Sequence, residues 1–233
     1  MTHASARPRP ELSRERILHA ALELIDRKGL AALNMRDLGV ALEASTMSVY
    51  RHFRSKAELL GAVVDRIVEA FAPPRMKGGW QDQAIAISLR VRRAMIAHPE
   101  LADLIGRELR RSPTSLRVNT AIIERLGAAG VPATLLPETY WAISCYTTGY
   151  ALLEAQTYRH RRRSSRKASP ADRVRKLAGL LDVVEGVPPD TLRGAAVVLA
   201  RPLDEKQFLF GLECLIRGLE GKFEAAEPAH AEA

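Results

Sequence analysis

The sequence predicts an all-α protein, with a compact N-terminal unit of about 55 residues followed by a larger helical body. Three observations carry that expectation. Apolar residues recur at spacings of three and four along most of the chain. Ser, Gly and Pro punctuate those runs where helices begin and end. No segment repeats at the 20–50-residue period of a solenoid.

In chain order, residues 1–12 hold two prolines and little periodicity, and read as a mobile arm. Ser13 caps a first helix whose apolar set is Ile17, Leu18, Ala21, Leu22 and Ile25, and Gly29 after Arg27 and Lys28 stops it. Short helices are expected over 34–42 and 46–53. Ser55-Lys56-Ala57-Glu58 has the spacing of a capping box. It opens a longer helix with Leu59, Leu60, Val63, Val64, Ile67 and Phe71 inward, which Pro73, Pro74, Gly78 and Gly79 end. Ile85, Ile87, Leu89 and Val91 alternate as in a strand, yet 80–98 contains neither Gly nor Pro, a length that favours helix. Further helices are expected over 100–111, 114–128 and 137–158, then a basic loop over 159–170. The last helices fall at 171–184, 190–200 and 204–223, before an Ala/Glu-rich tail at 224–233.

Composition narrows the class. The 233 residues are 47% hydrophobic and 27% charged, which excludes wholesale disorder. No apolar stretch approaches the length of a membrane span. The opening residues lack the apolar core of a secretory signal, and Cys145 and Cys214 make neither a disulfide framework nor a metal spacing. A reduced, cytoplasmic protein with two buried, inert thiols is expected. The formal charge of +8 and pI of 9.9 suggest nucleic acid, but residues 159–176 carry nine Lys/Arg against one Asp, so the other 215 residues sum to zero. No nucleophile triad order, H-E-x-x-H, P-loop or G-x-G-x-x-G occurs, so no enzyme, catalytic residue or cofactor is expected.

The informative stretch is NMRDLGVALEASTMSVYRHFRSKAELL at 34–60. Two short helices joined by a tight turn form a helix-turn-helix, whose second helix can lie in a major groove. Leu38, Leu42, Val49 and Phe53 pack inward, which leaves Thr46, Met47, Ser48, Tyr50, Arg51 and His52 largely outward. Small hydroxyl residues at the start of that helix can approach bases. Tyr50, His52 and Lys56 can reach phosphates, and Arg51 points to solvent or phosphate. Arg36 on the first helix is long enough to reach a guanine edge or a phosphate.

Ser13 to Phe71 resembles the DNA-binding domain of the tetracycline-repressor (TetR) family. The resemblance rests on R-x-x-I-L-x-A-A-L-x-L-I at 14–25, Gly29-Leu30, L-N-M-R-D-L at 33–38 and S-V-Y-R-H-F-R-S-K-A-E-L-L at 48–60. In the turn, Glu43-Ala44 stands where many members have Gly-Val. TTGYALLEAQ at 147–156, FLFGLECLIRGLEGK at 208–222 and the Trp80-Gln81-Asp82 start are similar to the body of the tetracycline repressor subgroup. The resemblance implies a homodimeric repressor that leaves a palindromic operator when a small hydrophobic effector binds. It divides the chain into a DNA-binding domain at 13–60 and a ligand-binding and dimerisation domain at 61–223. It brings no histidine to the metal–drug positions of that subgroup, leaving Glu154 as an acidic candidate and no metal ligand. Candidates for the pocket are Ile105, Tyr146, Tyr150 and Glu154.

For the dimer, Gly211 and Gly218 lie on a final helix with Leu212, Leu215 and Leu219, and glycine within a helix suggests the close approach of another. Ile143, Thr147 and Ala151 offer the matching face, and two copies of each helix make a four-helix interface. The rival reading is a ligand-blind architectural protein that binds nucleic acid through the basic 159–167 stretch.

Overall fold

Eleven helices follow one another in the computed structural model, which describes residues 12–73, 77–109, 111–163, 169–181, 183 and 185–226. They are α1 (Arg14–Lys28), α2 (Met35–Ala41), α3 (Thr46–His52), α4 (Lys56–Glu69), α5 (Trp80–Ala97), α6 (Ala102–Glu108), α7 (Pro113–Ala128), α8 (Leu136–Arg163), α9 (Pro170–Leu181), α10 (Pro189–Leu199) and α11 (Glu205–Ala226). No strand occurs among the described residues. The expected arm at 1–12 falls outside them save for Leu12, and so does the tail beyond Ala226.

Helices of seven residues, such as α2 and α3, do not persist alone in water, because too few hydrogen bonds offset nucleation. Caps and a shared core supply the difference. Ser13, Asn34, Ser45 and Ser55 each accept a bond from a backbone N–H in the first turn of α1, α2, α3 and α4. Ile17, Ala21, Ile25, Leu38, Val49, Phe53 and Leu59 are fully buried together. Gly39 makes the tight turn possible: a Cβ there would lie 3.0 Å from the Ala44 carbonyl oxygen.

The turn contains a strained residue. Glu43 has φ +52°, in the left-handed region where a side chain is disfavoured. The difference from the Gly-Val turn of many family members is therefore a local cost. Glu43→Gly is expected to raise stability by about 0.5–1 kcal/mol, after the entropy that glycine adds to the unfolded chain is subtracted. A denaturation midpoint that falls on this substitution would show that the strain is compensated elsewhere.

Helix α4 crosses the 60/61 boundary without interruption. It packs on α1 in the head and on α5, α6 and α7 in the body. In α5, Trp80, Ala84, Ile87, Val91 and Met95 are buried at helical spacing, whereas Ile85 and Leu89 are half-buried, so the apparent alternation is a by-product of a helix. The body is centred on α5 against α8, closed by α11, α7 and α6, while α9 and α10 pack chiefly on each other.

Two expectations are corrected here. The loop expected from residue 159 begins later, because α8 continues to Arg163 and Arg159 pairs with Asp103 of α6 at 2.6 Å. That arginine holds the Asp103 carboxyl below the usual aspartate range. The rest of the basic stretch, 164–167, lies outside the described residues. Cys145 and Cys214 are exposed rather than buried. Each sits two positions from a core residue, Ile143 and Leu212 respectively, and two helical steps of 100° turn a side chain to the far face.

One charged group lies deep in the body. Arg92 is 4% exposed and donates to both carboxylate oxygens of the fully buried Glu154, each at 2.8 Å. It also donates to Glu205 at 2.8 Å, so α5, α8 and α11 meet on one guanidinium. Burial works against its charge, but the two carboxylates outweigh burial and hold the Arg92 pKa above the ordinary arginine value.

Candidate nucleic-acid interface and effector cavity

The head presents a short polar helix on a rigid base. Val49 and Phe53 anchor α3, and its opposite face carries Met47, 72% exposed, with exposed Tyr50 and Arg51. Thr46, Ser48 and His52 are half-buried flanks of the same face. Arg36 in the first turn of α2 and Lys56 at the start of α4 are exposed. The exposure of Met47, Tyr50 and Arg51 agrees with an outward-facing α3, whereas Thr46, Ser48 and His52 lie at its flanks.

Two contacts at the ends of α3 go beyond the sequence reading. Ser45 caps α3, and its Oγ lies 2.8 Å from the Ser48 Oγ, which in turn accepts from Arg51 Nη2 at 2.9 Å. The Arg51 guanidinium thus folds back along the outer face toward the N-terminal end of α3. Arg14 of α1 closes the other end, donating to the His52 carbonyl at 2.8 Å. The i to i+3 spacing of Ser45, Ser48 and Arg51 was available as a signal, whereas the Arg14 contact joins positions 38 apart.

A cavity of about 520 Å³ opens in the body between α5, α6, α7 and α8. Apolar and aromatic side chains dominate its wall, among them Phe71, Ile87, Leu126, Tyr140 and Trp141. Its polar groups are neutral: Ser88, Asn119, Ser144, Thr147 and Thr148. The Thr147 hydroxyl donates to Ser88 Oγ at 3.0 Å, and the Asn119 amide donates to the Leu109 carbonyl at 2.7 Å. Among the described residues no Asp, Glu, Lys, Arg or His lines it, and no cluster of His, Cys, Asp and Glu could hold a metal.

None of the four pocket candidates lines this cavity. Ile105 is fully buried in the core. Tyr146 and Tyr150 face the other flank of α8, where their hydroxyls donate to the Phe208 and Asp204 carbonyls at 2.8 and 2.9 Å. Burial pushes both phenols above the ordinary tyrosine range. Glu154 spends both oxygens on Arg92 and offers nothing to a ligand or a metal. The cavity wall combines residues of α5, α6, α7 and α8 with Phe71 beyond α4, a combination that no local spacing records.

The expected dimer face divides likewise. Ile143, Thr147, Ala151 and Leu212 are buried within the protomer, while Leu215 and Leu219 are half-buried against the same core. Gly211 does mark a close approach, but within one chain: a Cβ there would collide with the Tyr146 hydroxyl. Gly218 alone of the eight is exposed with open space around its Cα. The outward faces are Trp141, Cys145, Gly149 and Leu153 on α8, and Phe210, Cys214, Gly218 and Gly221 on α11.

Comparison with known proteins agrees with this geometry. Residues 17–63 match the family of bacterial regulatory proteins of the tetR type, and residues 72–223 match the tetracyclin repressor-like C-terminal domain. The chain belongs to the TetR family of DNA-binding transcriptional regulators. It is 27% identical to the class C tetracycline repressor protein of Escherichia coli over 213 residues, covering 90% of this chain and 91% of that one. A TetR regulator of Streptomyces coelicolor is 30% identical, with a TM-score of 0.69 over 90% of this chain and 98% of that chain. ActR from the same organism, solved in complex with (S)-DNPA, is 26% identical with a TM-score of 0.67, over 90% and 98% of the two chains. No helix among the described residues is long and apolar enough to cross a membrane.

Proposed function

We propose that the protein is a homodimeric repressor that binds a palindromic operator and is released by a small, uncharged, largely apolar effector held in the α5–α8 cavity without a metal. The observation that carries this reading is that α4 joins the two sites. Its first turn holds Lys56 at the DNA face, and Phe71, just beyond its end, forms part of the cavity wall. A helix of this length spans about 20 Å, so a small tilt imposed at Phe71 displaces the reading head. Differential affinity of the effector for two α4 positions is enough to shift the population. That the similar protein ActR was solved in complex with (S)-DNPA supports an effector-binding role for this chain.

The 13–60 and 61–223 division is functional on this reading: the first part binds DNA, the second binds effector and partner, and α4 belongs to both. Two heads engage half-sites about one helical turn apart. Met47 reads a thymine methyl, Thr46 and Ser48 approach base edges, and Tyr50, His52 and Lys56 hold phosphates. The outward α8 and α11 faces supply the dimer seam. Because Trp141, Cys145 and Gly149 belong both to that face and to the cavity wall, effector binding also bears on the seam.

The test starts from a duplex selected out of a random library by the full-length protein. Tyr50→Ala and Lys56→Ala are expected to weaken binding to the selected and a scrambled duplex alike, since phosphates carry no sequence information. Arg36→Ala is expected to cost about 1–3 kcal/mol on the selected duplex alone. Equal losses on both duplexes for Arg36→Ala would make it a phosphate ligand. A protein that enriches no sequence would overturn the reading.

A further inference from the structure

We propose that Arg14, the first residue of α1, is the positioning residue that sets the angle at which the recognition helix α3 enters DNA. The inference rests on the DNA-binding reading of the head. Nη1 of Arg14 donates to the carbonyl of His52, the last residue of α3, at 2.8 Å. The guanidinium carbon lies 4.0 Å from the centroid of the Phe53 ring, and the same Nη1 stands 3.5 Å from Glu58 Oε1. Glu58 in turn accepts from the Arg54 amide at 2.8 Å. One side chain therefore touches the end of α3, the residue that follows it and the first turn of α4, while its own backbone belongs to α1.

The parts of this contact differ in weight. The Glu58 ion pair is long and exposed, and such pairs contribute little. The bond to the His52 carbonyl matters more, because the last carbonyls of a helix have no intrahelical donor and carry the negative end of its dipole. The stack on Phe53 adds a cation–π contact against a ring that is fully buried. Ser45 fixes one end of α3 and Arg14 the other, so a helix of seven residues is held at both termini. His52 and Lys56, the phosphate-facing residues, flank this junction. Without Arg14 the α3 terminus is free to swing about the Phe53 anchor, and the base-facing residues lose their register while the positive charge of the head remains.

Methionine at position 14 still covers Phe53 but donates nothing, and lysine donates but does not stack. The experiment compares the full-length wild type, Arg14→Met and Arg14→Lys on the duplex selected by the wild type and on a scrambled one, over a range of salt. Thermal melting shows which variants are folded at the assay temperature. Arg14→Met is expected to lose about tenfold on the selected duplex, the cost of one impaired base contact. Its loss on the scrambled duplex should be under about threefold, with an unchanged salt slope. Arg14→Lys should recover part of the selectivity, and it carries the test if the methionine variant does not fold. A parallel loss on both duplexes with a salt slope shallower by about one would make Arg14 a phosphate ligand and overturn the proposal. A lower melting temperature with unchanged selectivity would also overturn it, as a merely structural residue. Failure of the wild type to select any sequence is a separate outcome, and defeats the DNA reading itself.

Discussion

Arg92→Leu is expected to destabilise the protein by about 3–5 kcal/mol, because it leaves the carboxylate of Glu154 buried without a partner. Glu154 is fully buried, and both of its oxygens bond only to the guanidinium it would lose. The cost comes mainly from the stranded charge and much less from the net worth of the pair. The double variant Arg92→Met with Glu154→Leu should therefore regain most of the loss, since two apolar groups need no hydrogen bonds. Glu205, nearly half exposed, is then solvated by water. Chemical denaturation measures both. Were the double variant as unstable as the single one, the charge cluster would be required for the packing of α5, α8 and α11, and stranding of Glu154 would not be the explanation.

Gly218→Arg and Phe210→Glu are expected to abolish the dimer and to lower operator affinity by about 10²–10⁴-fold, because a single head no longer gains from a tethered second half-site. Gly218 has no atom within 4 Å of a built Cβ, and Phe210 is 67% exposed, so neither change disturbs the protomer core. The two substitutions thus separate association from folding. Leu215→Glu does not, since Leu215 packs against the core as well. Light scattering at micromolar concentration and the melting temperature are the readouts. A wild-type chain that is monomeric yet binds a palindrome tightly would sink the seam, and a dimer that survives both substitutions would place it elsewhere.

The contrast between the two halves of the molecule explains what was legible. In the head, every candidate lies within a 21-residue stretch, 36–56, whose helices are too short to bury more than one face. Val49 and Phe53 had to point inward, so Tyr50, Arg51 and His52 had to point outward or to the flank. In the body, α8 is 28 residues long and meets neighbours on three sides: α5 on one, α11 on a second and the cavity on a third. Periodicity identifies such a helix but does not say which side meets which neighbour. Tyr146 and Tyr150 bond to the start of α11 and the residue before it, Ala151 packs in the core, and Ile143 and Thr147 line the cavity, all on one helix. Gly211 shows the same limit. The sequence points to the 137–158 helix as the one approaching Gly211, but only the coordinates show that this helix belongs to the same chain.

By itself, the sequence determined the all-α class, ten of the eleven helices to within a few residues, and which residues of α3 are anchored inward. These follow from local physics: caps, breakers and the 3.6-residue period act over one or two turns, and the signal for each is contiguous. The tertiary structure alone decided the rest. The late end of α8 depends on Arg159 finding Asp103, the occupation of Glu154 on Arg92, and the composition of the cavity on residues brought together from helices far apart in the chain. Each is a contact between positions separated by tens of residues, and such pairings leave no spacing in the sequence, because chain topology rather than helical period brings them into reach.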